Sequence, residues 1–145
     1  MLKLLKDSMI WHDWEQNPPK FDAEAFTWEG SLTKYIQDNF PDKTLSLRNV
    51  QQYEDNGFIY RSVDEYLDDN LIVKASLIYD NGKSSAGIKA ELRSLGNRPI
   101  GNILFNDPDI ERRFIEWADC DDIIYRKSII TSPRFSLELI EGFVL

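Results

Sequence analysis

One cysteine and one histidine are all this chain offers for thiol or soft-metal chemistry. An intramolecular disulfide is excluded, which suits a reducing compartment. His12 and Cys120 lie far apart in sequence and make no zinc ligand set, so His12, between Trp11 and Trp14, reads as a packing residue. Cys120 sits in Ala118-Asp119-Cys120-Asp121-Asp122, the opposite of the cationic surroundings that activate a thiol. That acidic run lacks the glycine and distal glutamate of an EF-hand loop and reads as a polar turn. No stretch is apolar for long enough to span a membrane, and Met1 to Ile10 carries charge where an export signal would have an apolar core. P-loop, GxGxxG, GxSxG and HExxH motifs are missing, as are repeats and Gly/Ser linkers.

Positive charge is also scarce: 17 Lys and Arg stand against 25 Asp and Glu, for a net charge of -8. An acidic surface fits a soluble cytoplasmic protein and argues against nucleic acid or an anionic membrane as partner. An anionic ligand would therefore need local cations at its site. The sequence is 42% hydrophobic and 12% aromatic over 145 residues, enough for one folded domain spanning 1–145. Residues 1–27, with Trp11, Trp14, Pro18 and Pro19, read as an extended segment laid over that domain, and a monomer is expected.

Local patterning predicts an α+β fold, a single antiparallel sheet with helices inserted between hairpins. Ser31 is a candidate N-cap for a helix whose face carries Leu32, Tyr35, Ile36 and Phe40, with Pro41 as its stop. Lys43 to Val50 alternates as a half-buried strand, and Asn56-Gly57 is a turn signal. Phe58 to Leu67 fits strand or helix. Leu71 to Tyr79 reads as a strand, Asp80-Asn81-Gly82 as its turn and Ser84 to Leu92 as the returning strand. Pro99 to Phe105 opens a helical region. Asp107 and Pro108 then look like the cap and first residue of a second helix, with Ile110, Phe114 and Trp117 on its apolar side. A last hairpin joins Ile123–Thr131 to Phe135–Leu145 through Ser132-Pro133.

Two charged residues fall on apolar faces. Period-two reading groups Phe135, Leu137, Leu139, Glu141, Phe143 and Leu145, so Glu141 is a carboxylate among large apolar side chains. Burying it costs several kcal/mol unless it is paired or protonated. It is either a structural ion pair, or edge position, or a ligand-binding or acid–base group in an enclosed pocket. Lys74 shares a strand face with Ile72, Ser76 and Ile78; it is either a lysine snorkelling outward or the counter-charge of an anion. Arg112-Arg113 and Arg126-Lys127 read as surface salt-bridging pairs.

The order of several short motifs resembles the chorismate pyruvate-lyase family. Trp28-Glu29-Gly30-Ser31-Leu32-Thr33-Lys34 is similar to that family's E-D-S-[ML]-T-K/R opening, and Pro99-Ile100-Gly101-Asn102-Ile103-Leu104-Phe105 to its P-L-G-x-x-L-F. Arg112 through Glu116 resembles R-x-F-I-E, Arg126-Lys127-Ser128 resembles R-R-S, and Ile140 through Val144 resembles the closing T-E-x-F-L. Each motif is weak alone; five in order from Trp28 to the C-terminus are more specific.

The resemblance implies a lyase that converts chorismate to 4-hydroxybenzoate and pyruvate at the entry to ubiquinone synthesis, without a cofactor. It implies an internal ligand pocket beside the sheet and under helical flaps. Carried over by position, Glu141 would meet the ring hydroxyl and Lys74 would hold a ligand carboxylate, as catalytic and substrate-binding residues. The backbone N–H groups of Leu32 and Ile100 would complete the site. Lys74 stands where the family has arginine, and Gly87-Ile88-Lys89 replaces its Gly-Arg-Thr. A second expectation is a non-catalytic binder of an aromatic carboxylate, related to the effector domains of GntR-type regulators.

Overall fold

The computed structural model describes residues 9–20, 24–80, 82, 86–105 and 107–144. Seven strands form one antiparallel sheet: β1 (His12–Asp13), β2 (Leu45–Asp55), β3 (Phe58–Leu67), β4 (Asn70–Asp80), β5 (Glu111–Cys120), β6 (Ile123–Ser132) and β7 (Phe135–Val144). Their order across the sheet is β1-β5-β6-β7-β4-β3-β2. The described helices are α1 (Glu24–Thr27), α2 (Leu32–Asn39), α3 (Ala86–Arg93) and α4 (Gly101–Leu104). The expected α+β fold is therefore corrected to a mostly-β one. Strands are ten or eleven residues long apart from β1, whereas no described helix exceeds eight.

Two segments exchange their expected states. Ala86–Arg93 is a helix, because Ile88 and Leu92 are also an i,i+4 pair, set among the helix formers Ala, Lys and Glu. Both side chains bury against the sheet. Glu111–Cys120 is a strand, although Ile110, Phe114 and Trp117 keep helical spacing. Its backbone pairs with β6 throughout, and Asp121 adopts φ 56 in the tight turn between them. A register shift between Phe114 and Glu116 re-aims the side chains within it. Pairing with a ten-residue neighbour outweighs local periodicity there. The open stretch Phe58–Leu67 is a strand, entered from β2 through Asn56 (φ 50) and Gly57 (φ 82), the pair of positive φ values that a two-residue hairpin turn requires. The turn residue Asn81, along with Ser84 and Leu145 of the expected strands, lies outside the described residues.

Towards the amino terminus, β1 pairs with β5, and His12 packs its ring 4.5 Å from that of Trp117. Trp14 stacks between Phe26 and Phe114 at 5.7 and 4.7 Å. The described parts of the 1–27 segment thus contain β1 and α1 as well as irregular chain, and residues 1–8 and 21–23 of it lie outside the described residues.

The described helices cover one face of the sheet. On it, Ile59, Leu77, Ile130 and Phe135 pack with Ile88 and Leu92 of α3 and Leu104 of α4. A second cluster joins Leu32 and Ile36 of α2 to Leu67 and Val73. Ser31 caps α2 by accepting from the Lys34 N–H at 3.2 Å, while Phe40, expected on its buried face, is exposed. The opposite sheet face carries a smaller cluster of Ala118, Tyr125 and Ile140 under Met9 and Trp11. Between the two clusters of the helix-covered face lies the cavity discussed next.

Candidate functional site

Period-two alternation sends Arg61, Val63 and Glu65 of β3, Ala75 and Leu77 of β4, and Leu139 and Glu141 of β7 to the helix-covered face. These side chains form the floor of a cavity. Its roof is the start of α2 (Ser31, Leu32 and Thr33) and the segment Pro99, Ile100 and Gly101 with Leu104 and Phe105. The two roof pieces touch closely: a methyl group on Gly101 would lie 2.6 Å from Ser31 Oγ. About 50 Å³ is open to the centre of a water-sized sphere. One water needs roughly 10–15 Å³ of such space, so the cavity as it stands suits several waters or one compact ring.

Glu141 is 4% exposed and is held by two guanidinium groups. Arg126 Nε donates to its Oε1 at 2.8 Å, and Arg112 Nη2 donates to the same oxygen. Burial alone would raise this carboxyl's pKa, but the two cations outweigh it and hold the group below the usual carboxylate range. The arginines reach further. Arg126 Nη1 donates to the carbonyls of Phe26 and Trp28, both at 2.8 Å, and to Ala25 at 3.3 Å. Arg112 donates to Ser128 Oγ at 3.1 Å and to the Gly30 carbonyl at 3.2 Å. Glu141 thereby pins the chain from Ala25 to Gly30, and with it the start of α2, onto the sheet. Leu32 and Thr33 follow at once, with N–H groups that the helix itself does not satisfy.

Glu65 has the opposite surroundings. It is 6% exposed, and Thr33 Oγ1 donates to its Oε1 at 2.8 Å. It makes no ion pair among the described residues. Burial pushes its pKa up to about 7; the Thr33 hydrogen bond works against this, and the charge of Glu141 adds to it. Arg61, four residues earlier on the same strand and 4% exposed, donates to Gln52 Oε1 at 3.2 Å and to the carbonyls of Gly96 and Arg98 at 2.9 and 3.1 Å. Burial lowers its pKa below the usual guanidinium range, yet a guanidinium stays charged in a protein. Among the described residues this cation also has no carboxylate partner. The cavity therefore presents a cation whose charge no carboxylate among the described residues offsets and, about 13 Å along β3 between Cα atoms, a carboxyl group that can gain or lose a proton near neutrality.

Of the four residues singled out from the sequence, Glu141, Leu32 and Ile100 line this cavity. Lys74 does not, and its assignment to the ligand carboxylate is corrected. It falls between Val73 and Ala75, whose side chains face inward, so its own points to the other side of the sheet. There Lys74 Nζ lies 3.6 Å from Asp64 Oδ1, its cross-strand neighbour, with 41% of its side chain exposed. The cavity's cation is Arg61 instead.

Arg112 and Arg126, expected in surface pairs, are the buried partners of Glu141. Alternation could have found Arg126, since it shares a face with Ile124, Ser128 and Ile130 just as Glu141 does with its leucines. Arg61 and Glu65 lie in the stretch whose state was open, and no face could be assigned to them. No group of three or more His, Cys, Asp or Glu side chains among the described residues is placed to hold a metal ion. No protein-family model matches the chain, and no curated protein matches it.

Proposed function

We propose that the protein is a cytoplasmic chorismate lyase that eliminates pyruvate from chorismate to leave 4-hydroxybenzoate. One observation carries this reading: the five segments with family-like motifs meet around one cavity. Ser31, Leu32 and Thr33 of the first and Pro99, Ile100, Gly101, Leu104 and Phe105 of the second supply the roof. Arg112, Arg126 with Ser128, and Glu141, from the other three, form a single hydrogen-bonded group beneath it. Residues up to 110 positions apart in sequence thus converge where a ligand would sit.

The chemistry asks little of the protein beyond placement. Loss of the enolpyruvyl group makes the ring aromatic, so no covalent intermediate is needed. The enclosure must offset a carboxylate, which Arg61 can do, and it must exclude water so that this charge acts at full strength. Leu32 and Thr33 N–H groups at the start of α2 favour an anion on the opposite wall. Chorismate carries the enolpyruvyl group in addition to the ring, so the two roof pieces must part to admit it. Incubating the protein with chorismate, and following 4-hydroxybenzoate and pyruvate, tests the proposal; formation of both in equal amounts is expected.

The small cavity also favours a second reading, a binder of an aromatic carboxylate that turns nothing over. Tight binding of 4-hydroxybenzoate with no product formed from chorismate would select it.

A further inference from the structure

Two glutamates line the cavity, and the geometry gives them different work. Both neighbours of Glu141 donate to its Oε1 and both are cations, so its negative charge is committed to holding Arg112 and Arg126. Glu65 has a hydroxyl as its only hydrogen-bonding side-chain neighbour among the described residues, and that hydroxyl belongs to the roof. The groups that face it are few. Thr33 comes from α2, Leu47 lies across the pairing with β2, and Val73 lies across the pairing with β4. Glu141, with its two arginines, is the charged group on the β7 side, and Arg61 is the charged group on its own strand. The roof residues Pro99, Ile100 and Gly101 carry no charge.

We infer that Glu65 is the catalytic proton-transfer residue of this cavity, with Thr33 as the positioning residue that aims its carboxylate. The inference rests on the elimination reading given above. As the ether bond from ring to enolpyruvyl oxygen breaks, its electron pair leaves on that oxygen. Glu65 takes the proton from the ring carbon that bears the hydroxyl, and the electrons of that carbon–hydrogen bond complete the aromatic ring. The enolpyruvate then receives one proton at its methylene carbon to become pyruvate, and Glu65 returns to its carboxylate form. Atoms balance, and no oxidant, reductant or co-reactant enters. A carboxyl with a pKa near 7 populates both of its forms at neutral pH, which a group that first accepts and then gives up a proton requires.

The test measures kcat and KM for chorismate across pH 5 to 9 for the parent, Glu65→Gln and Thr33→Val, with circular dichroism and Tm as fold controls. In the parent, kcat/KM rises through about pH 7. Glu65→Gln keeps the shape and the Thr33 contact, and its kcat falls by about 100-fold or more with KM little changed. Thr33→Val removes the donor that favours the ionised form, so its rising limb moves to higher pH. Parent turnover with Glu65→Gln within threefold of it, or a Thr33→Val profile that does not move, overturns the assignment while leaving the lyase reading intact. If Glu65→Gln does not fold, the Thr33→Val profile decides alone. Absence of turnover in the parent overturns both, and is recognised before any variant is made.

Discussion

Glu65 and Glu141 face one cavity from strands on either side of β4, and their surroundings push their pKa values in opposite directions. Glu141 has two guanidinium groups on one oxygen; Glu65 has a single hydroxyl. Two carboxyls separated in this way have separate tasks available to them, one as a fixed charge and one as a proton carrier.

The raised pKa of Glu65 ties stability to pH. In the folded chain it keeps its proton up to about pH 7, whereas unfolded it releases it near 4.5. Between these values the folded state binds more protons than the unfolded one, so stability falls as pH rises and then levels off above 7. The size is of the order of 3 kcal/mol. Glu65→Gln should flatten that slope, and urea titrations at pH 5 and pH 8 should find the variant's advantage over the parent greater at pH 8. An equal pH slope in both proteins would contradict the assignment of buried charge to Glu65.

Glu141→Gln leaves Arg112 and Arg126 buried without their counter-charge. Loss of one member of such a group typically costs about 3–5 kcal/mol. Urea unfolding should register that loss. Limited proteolysis should also find faster cleavage between Ala25 and Gly30, because the arginines hold that segment. The exposed Asp38→Asn, which gives up the surface ion pair with Lys34, should cost about 1 kcal/mol or less.

Arg61 and Lys74 make competing claims on a ligand carboxylate. Calorimetry with 4-hydroxybenzoate should find Arg61→Met at least about tenfold weaker than the parent, the loss of one charge-assisted hydrogen-bonded contact. Lys74→Met should stay within about twofold. The reverse order would restore the assignment that the sequence resemblance implies.

Gly142 sits on the face of β7 away from the cavity, where a Cβ would approach Tyr125 Cε1 to 2.5 Å and Ile123 Cγ2 to 3.0 Å. Gly142→Ala forces the Tyr125 ring to move within its cluster and should lower stability by about 1–3 kcal/mol without changing ligand affinity. Thermal unfolding and calorimetry check the two halves of this statement.

Strand alternation made part of this site legible and hid the rest. Glu141 stood out because five large apolar residues share its face in an unbroken period of two. Ser31 announced α2 through cap chemistry, and Asn56-Gly57 announced the first long hairpin. The two misread segments had patterns that serve both states: Ile88 and Leu92 satisfy i,i+4 and i,i+2n spacing alike, and Phe114 and Trp117 keep helical spacing within a bulged strand. The role of Lys74 failed for another reason. Position relative to a turn gives its place along β4 and no more, whereas alternation separates it from Val73 and Ala75, and the outward-snorkelling alternative is the one that agrees with its pairing with Asp64. Glu65 and Arg61 became visible once β3 acquired a partner on each side.

The most direct measurement follows absorbance of 4-hydroxybenzoate and enzyme-coupled detection of pyruvate after chorismate is added to the purified parent protein at neutral pH. Equimolar appearance of both, at a rate well above that of chorismate alone and lost in Glu65→Gln, is the predicted result. A parent protein that leaves chorismate unchanged at the uncatalysed rate would contradict the lyase account.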